Sequence, residues 1–241
     1  MPDRPKPPSF AELKPFVHSG GGLLVTSGYH WLGILLTWCF ARIGASPNAV
    51  TLLSTVLSTA AGVIILLPGG TSWTFAIVSF ILVAVGYATD CSDGQLARST
   101  KSGSTLGAWL DHTVDAWKIL FLNAALGWVC ISRADAGIVP LWAAYLAPVL
   151  SITGNIVYAF GWNYKVMLAG KDTVAASIGS NSVKSILKLP LHITDFGVFL
   201  FLWFALPLEG TFTWIFLGYS ALCAPIYLGY LAISAHALRK H

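Results

Sequence analysis

Residues 90–115 read DCSDGQLARSTKSGSTLGAWLDHTVD. Asp90 and Asp93 close one strongly apolar run, Asp111 and Asp115 lie a few residues into the next, and the polar turn 99–105 joins the two. Two long apolar segments separated by a short polar turn read as a pair of membrane-spanning helices. Acids inside membrane-type sequence are expensive to keep and mark function by default. Their spacing is informative as well. Asp90 and Asp93 are i,i+3 and Asp111 and Asp115 are i,i+4, so each pair lies on one helical face. Two facing helices can therefore aim all four carboxylates at one point. Four carboxylates so close repel one another unless cations neutralise them. Hard divalent ions with oxygen ligands, Mg²⁺ before others, are the natural partners.

The rest of the chain agrees with a membrane protein. Of its 241 residues 56% are apolar and only 10% charged, with a mean hydropathy of +0.71. That is far from the averages of soluble domains. The apolar pattern predicts six transmembrane helices near 48–68, 72–97, 104–131, 137–166, 192–207 and 211–237. The expected fold is an all-α integral membrane protein: a single domain over 1–241, with a tail and juxtamembrane helix in 1–46 and a six-helix bundle in 47–237. No polar linker is long enough to separate two domains. Residues 1–15 are Pro-rich and mixed in charge, unlike the basic start and short apolar core of a cleaved signal. The apolar stretch 23–41, interrupted by Tyr29, His30, Trp31 and Trp38, reads as an interfacial amphipathic helix, with a seventh span as the alternative. Ser46 reads as a helix cap, with Pro47 at the first helical position.

Charge sets the expected orientation. With the N-terminus inside, only Arg133 of the 14 Lys and Arg residues falls in an outer loop, and Lys118 lies within a span. The other 12 fall on the inner side, a positive-inside pattern that places the acidic junction at the cytoplasmic face of the cell's inner or plasma membrane. Trp73, Trp128, Trp142 and Trp214 fall near the outer helix ends, as an aromatic belt requires. The four cysteines, Cys39, Cys91, Cys130 and Cys223, show no metal-ligand spacing and read as small buried hydrophobes. His112 points about 100° around the helix from Asp111 and reads as structural. No nucleic acid is expected as a partner.

Written with its spacings, the stretch is D-x2-D-G-x2-A-R-x8-G-x3-D-x3-D, carried by Asp90, Asp93, Gly94, Ala97, Arg98, Gly107, Asp111 and Asp115. It resembles, without a mismatch, the complete signature of the CDP-alcohol phosphotransferase family. At roughly 6% usage per residue, eight fixed positions match by chance on the order of 10⁻¹⁰ per start site. The resemblance implies an enzyme of phospholipid biosynthesis. Such an enzyme transfers a substituted phosphoryl group from a CDP-linked alcohol to an acceptor hydroxyl and releases CMP. It further implies two Mg²⁺ (or Mn²⁺) ions, with Asp90, Asp93 and Asp111 chiefly metal ligands. Asp115 would be the general base and would also touch the second metal. A homodimer in the membrane lipid is the family's usual state.

Gly94 and Gly107 lack side chains where helices and nucleotide must approach closely, and Ala97 fits the same crowding. Arg98 offers a positive fork suited to phosphate oxygens. Ser104, in the polar turn, matches a donor-binding position of some relatives, and Asn48 and Thr51 fall where the family lines its donor pocket; helix capping is the other reading of Asn48. Many relatives carry an arginine just after the last motif aspartate, where this chain has Ala116. Lys118, three residues after Asp115, either takes over a charge role toward substrate or pairs with Asp115.

The expected donor is CDP-diacylglycerol, with a soluble CDP-alcohol and a lipid acceptor as the alternative. The inner loop near 167–191 holds Lys171, Lys184 and Lys188, which suit a phosphorylated acceptor such as glycerol 3-phosphate or an inositol phosphate. Ordinary positive-inside bias explains the same lysines. A cation-coupled transporter is the alternative of another class. It would usually show two related halves, and 137–237 holds no second acidic cluster.

Overall fold

The computed structural model describes residues 8–16, 28–169 and 196–238. Among them every regular element is helical. A short α1 (Phe10–Leu13) runs into a single 3₁₀ turn, Lys14–Phe16. Then come α2 (His30–Ile43), α3 (Pro47–Leu66), α4 (Trp73–Ser99), α5 (Thr105–Asp135) and α6 (Leu141–Ala169). Two short helices, α7 (Phe196–Leu200) and α8 (Leu202–Ala205), precede the long α9 (Gly210–Leu238).

Among the described residues four helices are long and apolar enough to cross a membrane: α3, α4, α5 and, over Gly210–Gly229, α9. Their outward faces carry exposed Leu52, Val56, Ile77, Ile81 and Leu228, which only lipid solvates well, and their backbone groups are satisfied within each helix. The protein is a multi-pass membrane protein. The expected fourth span corresponds to α6, which carries Pro148 within it. The expected fifth, 192–207, is described from Phe196, where α7 and α8 follow one another through a tightened turn: Phe201 keeps right-handed helical dihedrals and its N–H donates to the Val198 carbonyl, and residues 192–195 lie outside the described residues.

Short caps set the connections. Gly44 ends α2 in the left-handed region at φ +70°, and its N–H donates to the Ala41 carbonyl. Only Ala45 and Ser46 separate it from α3, where the Ser46 hydroxyl accepts from the Ala49 N–H and Pro47 opens the helix. At the other motif-bearing turn, the Ser104 hydroxyl accepts from the Gly107 N–H at 3.0 Å and starts α5. Helix α2 has 14 residues, about 21 Å of rise, and packs along α4. Thr37 fixes it there: its hydroxyl lies 3.2 Å from the Ser92 carbonyl oxygen and 3.0 Å from Gln95 Oε1, while Gln95 Nε2 donates to the His30 carbonyl.

The apolar core joins Ala61 and Ile65 of α3, Val83 of α4, Leu122 and Leu126 of α5, Trp203 of α8, and Phe212 and Phe216 of α9. These positions lie in the half of the bundle away from the 90–115 junction. That leaves the junction end free to carry polar groups. Helix α5 also runs further than expected, to Asp135, so Arg133 is a buried residue of its last turn rather than a loop residue. Its guanidinium donates to the Leu206 carbonyl and sits 5.0 Å above the Phe212 ring, contacts that make one more helical turn worthwhile. Trp73, Trp128, Trp142 and Trp214 are all exposed toward this end, with Trp142 and Trp214 in edge contact at 5.7 Å.

Candidate active site

The four motif aspartates meet where the last turns of α4 face the first turns of α5. Asp90, Asp93 and Asp111 each present a carboxylate oxygen to a common point, and the three atoms lie within 4.8 Å of one another. An oxygen-only donor set of this size fits a hard divalent cation. Asp115 lines the same cleft, a space of about 250 Å³ that also borders on Gly94 and Arg98, but it stands apart from the three-oxygen group.

Helix α3 supplies the support. Thr51 is buried, and its hydroxyl donates to Asp93 Oδ2 at 2.6 Å. One turn on, Ser54 Oγ lies 3.3 Å from Asp90 Oδ1. Thr51 and Ser54 are i,i+3 on the face of α3 turned to α4, so the two hydroxyls follow the two carboxylates in register. Hydrogen bonds of this kind fix the orientation of a ligating carboxylate, and losing one typically costs 10–100-fold in metal affinity. Thr51→Val is therefore expected to weaken Mn²⁺ binding by about tenfold while leaving the fold intact, as read by isothermal titration beside thermal unfolding. Unchanged Mn²⁺ affinity would remove Thr51 from the site.

Lys118 is the least anticipated member. It reaches from α5 and is buried, with its ammonium ion-paired to Asp90 Oδ1 and to Asp115 Oδ1, the latter at 2.7 Å. The pairing with Asp115 is one of the two readings its spacing allows. The bond to Asp90 is invisible in sequence, since the two residues lie 28 positions apart on different helices.

The remaining expected residues fall into two groups. Gly107 faces Asn48: a Cβ there would stand 3.0 Å from Asn48 Oδ1, so the missing side chain is what lets α5 approach the start of α3. Capping of α3 falls to Ser46 and not to Asn48. Gly94 is covered by the Arg98 guanidinium, 3.1 Å from where its Cβ would be. Arg98 is exposed at the cleft mouth, where its Nη2 lies 3.5 Å from the Phe16 carbonyl oxygen. Ala97 is half-buried on the same turn. Ser104 is an exposed cap residue at the start of α5. Lys184 and Lys188 lie outside the described residues, as does Lys171.

Two cleft-lining residues, His30 from α2 and Tyr87 from α4, escaped sequence reasoning, as did Ser54. Ser54 was recoverable from its i,i+3 relation to Thr51. His30 and Tyr87 carried no signal, because only the docking of α2 against α4 brings them to the cleft.

Among curated proteins none matches the chain significantly. A membrane bundle with the full acidic signature at one helix junction nevertheless has a counterpart among known families. Residues 45–226, about three quarters of the chain, match the family model for CDP-alcohol phosphatidyltransferase. The chain belongs to that family, whose members transfer a phosphatidyl group from a CDP-alcohol to an acceptor.

Proposed function

We propose that the protein is a divalent-metal-dependent phosphotransferase that moves a phosphatidyl group from CDP-diacylglycerol to the hydroxyl of a polar acceptor, glycerol 3-phosphate or an inositol phosphate, and releases CMP. The observation that carries this reading is the convergence of Asp90, Asp93 and Asp111 within 4.8 Å, beside a separately held fourth carboxylate. The chain acts as one domain, with α2 as the interfacial helix of a six-span bundle. Its 14 residues are too short for a hydrocarbon core of about 30 Å. The positive-inside distribution supports a cleft that opens to the cytoplasm, and the family's habit supports a homodimer.

Asp90, Asp93 and Asp111 would hold Mg²⁺ or Mn²⁺, which when bound neutralises the donor's pyrophosphate and stabilises the leaving phosphate. Thr51 keeps Asp93 turned toward that point. Arg98, at the mouth over Gly94, offers its guanidinium to phosphate oxygens. Lys118 fixes one oxygen of Asp115, Oδ1, and so aims the other into the cleft. That oxygen takes the acceptor's hydroxyl proton as the acceptor oxygen bonds to the phosphatidyl phosphorus. The bond from that phosphorus to CMP breaks, and CMP leaves with the electron pair.

The test is CMP release by purified protein with CDP-diacylglycerol and Mg²⁺ over a panel of glycerol 3-phosphate, inositol phosphate, inositol, serine and buffer. Stimulation by a phosphorylated polyol supports the reading. Activity only with a soluble CDP-alcohol and a lipid acceptor would transfer the assignment to that alternative. Absence of both CMP release and CDP-compound binding would reject an enzyme and return attention to ion-coupled transport.

A further inference from the structure

We infer that Lys118 is a built-in cation that takes the place of the second metal ion, so that each site binds one divalent ion, on Asp90, Asp93 and Asp111. The inference rests on the metal-dependent transfer proposed for the site.

The geometry is that of an occupied cation position. Lys118 is 7% exposed and its ammonium has three oxygen neighbours: Asp90 Oδ1, Asp115 Oδ1 at 2.7 Å and Ser54 Oγ at 3.5 Å. Three N–H bonds are all an ammonium can donate, so its capacity is filled. Asp115 is also the aspartate left out of the three-oxygen group that fits a metal. A second ion bridging Asp90 and Asp115 would have to sit between the same two carboxylates, beside a positive charge that already neutralises one oxygen of each.

Displacement of the lysine is unfavourable because of what lies behind it. The space adjoining Lys118, about 140 Å³, is lined by Asp90 and Asp115 and otherwise by Ile119, Phe196, Tyr87 and Ser58. Any move of the ammonium away from those two carboxylates takes it toward the hydrocarbon and ring faces of Ile119, Phe196 and Tyr87, a costly transfer for a charge. The lysine stem is also short of alternatives, since Asp115 is its i,i+3 neighbour on the same helix face. Lys118 thus acts as a positioning residue. It holds the Asp115 carboxylate and supplies fixed positive charge, leaving a single exchangeable ion beside it.

The experiment counts ions. The full chain, purified in detergent micelles, is titrated with Mn²⁺ alone, and free Mn²⁺ is read by electron paramagnetic resonance. The expected stoichiometry is one ion per chain for the wild type, one for Lys118→Arg and two for Lys118→Met, with exchange coupling between paired ions only in Lys118→Met. Two ions in the wild type would overturn the inference and leave metal-dependent transfer standing. One ion in Lys118→Met would also overturn it. No bound ion in the wild type would overturn both. Should Lys118→Met fail to fold, the wild-type count alone still decides, because a coupled pair there is incompatible with the lysine's role.

Discussion

Asp115→Asn is expected to keep most of its metal-dependent binding of a CDP-alcohol and to lose CMP release by about 10²–10⁴-fold, the usual worth of a positioned general base. Asp93→Asn is expected to fail earlier, losing the metal-dependent part of donor binding itself. The two carboxylates are separated by their partners and not by their chemistry. Asp93 supplies one of three oxygens around a common point, and its Oδ2 accepts from the Thr51 hydroxyl at 2.6 Å. An amide at position 93 removes charge from that point and presents a donor where an acceptor is needed. Asp115 stands outside the three-oxygen group, paired with Lys118 at 2.7 Å. An amide there can still accept from the ammonium through its oxygen but has no basic oxygen left for the acceptor's proton. Side-by-side titration of CDP-alcohol with and without Mg²⁺, together with CMP release, separates the roles. Equal loss of donor binding in both variants would refute the division.

Gly86→Leu is expected to destabilise the bundle by about 1–3 kcal/mol, the usual range for overpacking, and to weaken donor binding at the same time. A Cβ at Gly86 would stand 2.8 Å from Ser58 Oγ and 3.2 Å from both Leu57 Cβ and the Ser54 carbonyl oxygen. The serine hydroxyl can rotate away, which leaves an alanine Cβ tight only by a few tenths of an ångström against Leu57 and the Ser54 carbonyl, so Gly86→Ala should cost less than Gly86→Leu. The Ser54 carbonyl belongs to the α3 backbone and cannot, so a leucine must push α3 from α4 along their shared seam. That seam carries Thr51 to Asp93 and Ser54 to Asp90, and Gly86 is one turn before Asp90. Thermal unfolding in detergent and Mg²⁺-dependent nucleotide binding should therefore fall together for Gly86→Leu. A variant that loses stability but binds donor normally would show that the seam does not position the carboxylates.

Much of this protein was legible in local pattern. Long apolar runs predicted α3, α4 and α5 to within a few residues, because a helix in lipid must satisfy its own backbone and bury or expose only apolar side chains. The Ser46–Pro47 cap and the polar turn before α5 were equally local, each resting on bonds three or four residues long. Arg133 was misplaced for the complementary reason. Its helical turn is stabilised by Leu206 and Phe212, residues more than seventy positions away. The tightening of the helix to i→i−3 bonds at Phe201 likewise has no counterpart in hydropathy, which stays apolar across it.

By itself, the sequence determined the membrane class, the family and the i,i+3 and i,i+4 faces on which the four aspartates lie. These follow from hydrophobicity and helical period, which act along the chain. Only the tertiary structure decided how the four divide into a three-oxygen group and a lysine-held fourth. It also decided that α3 supports the group through Thr51 and Ser54, and that Lys118 reaches across to Asp90. Those contacts depend on the axial offset and rotation of one helix against another. A helical repeat specifies which residues share a face, but packing between faces sets which residues finally touch.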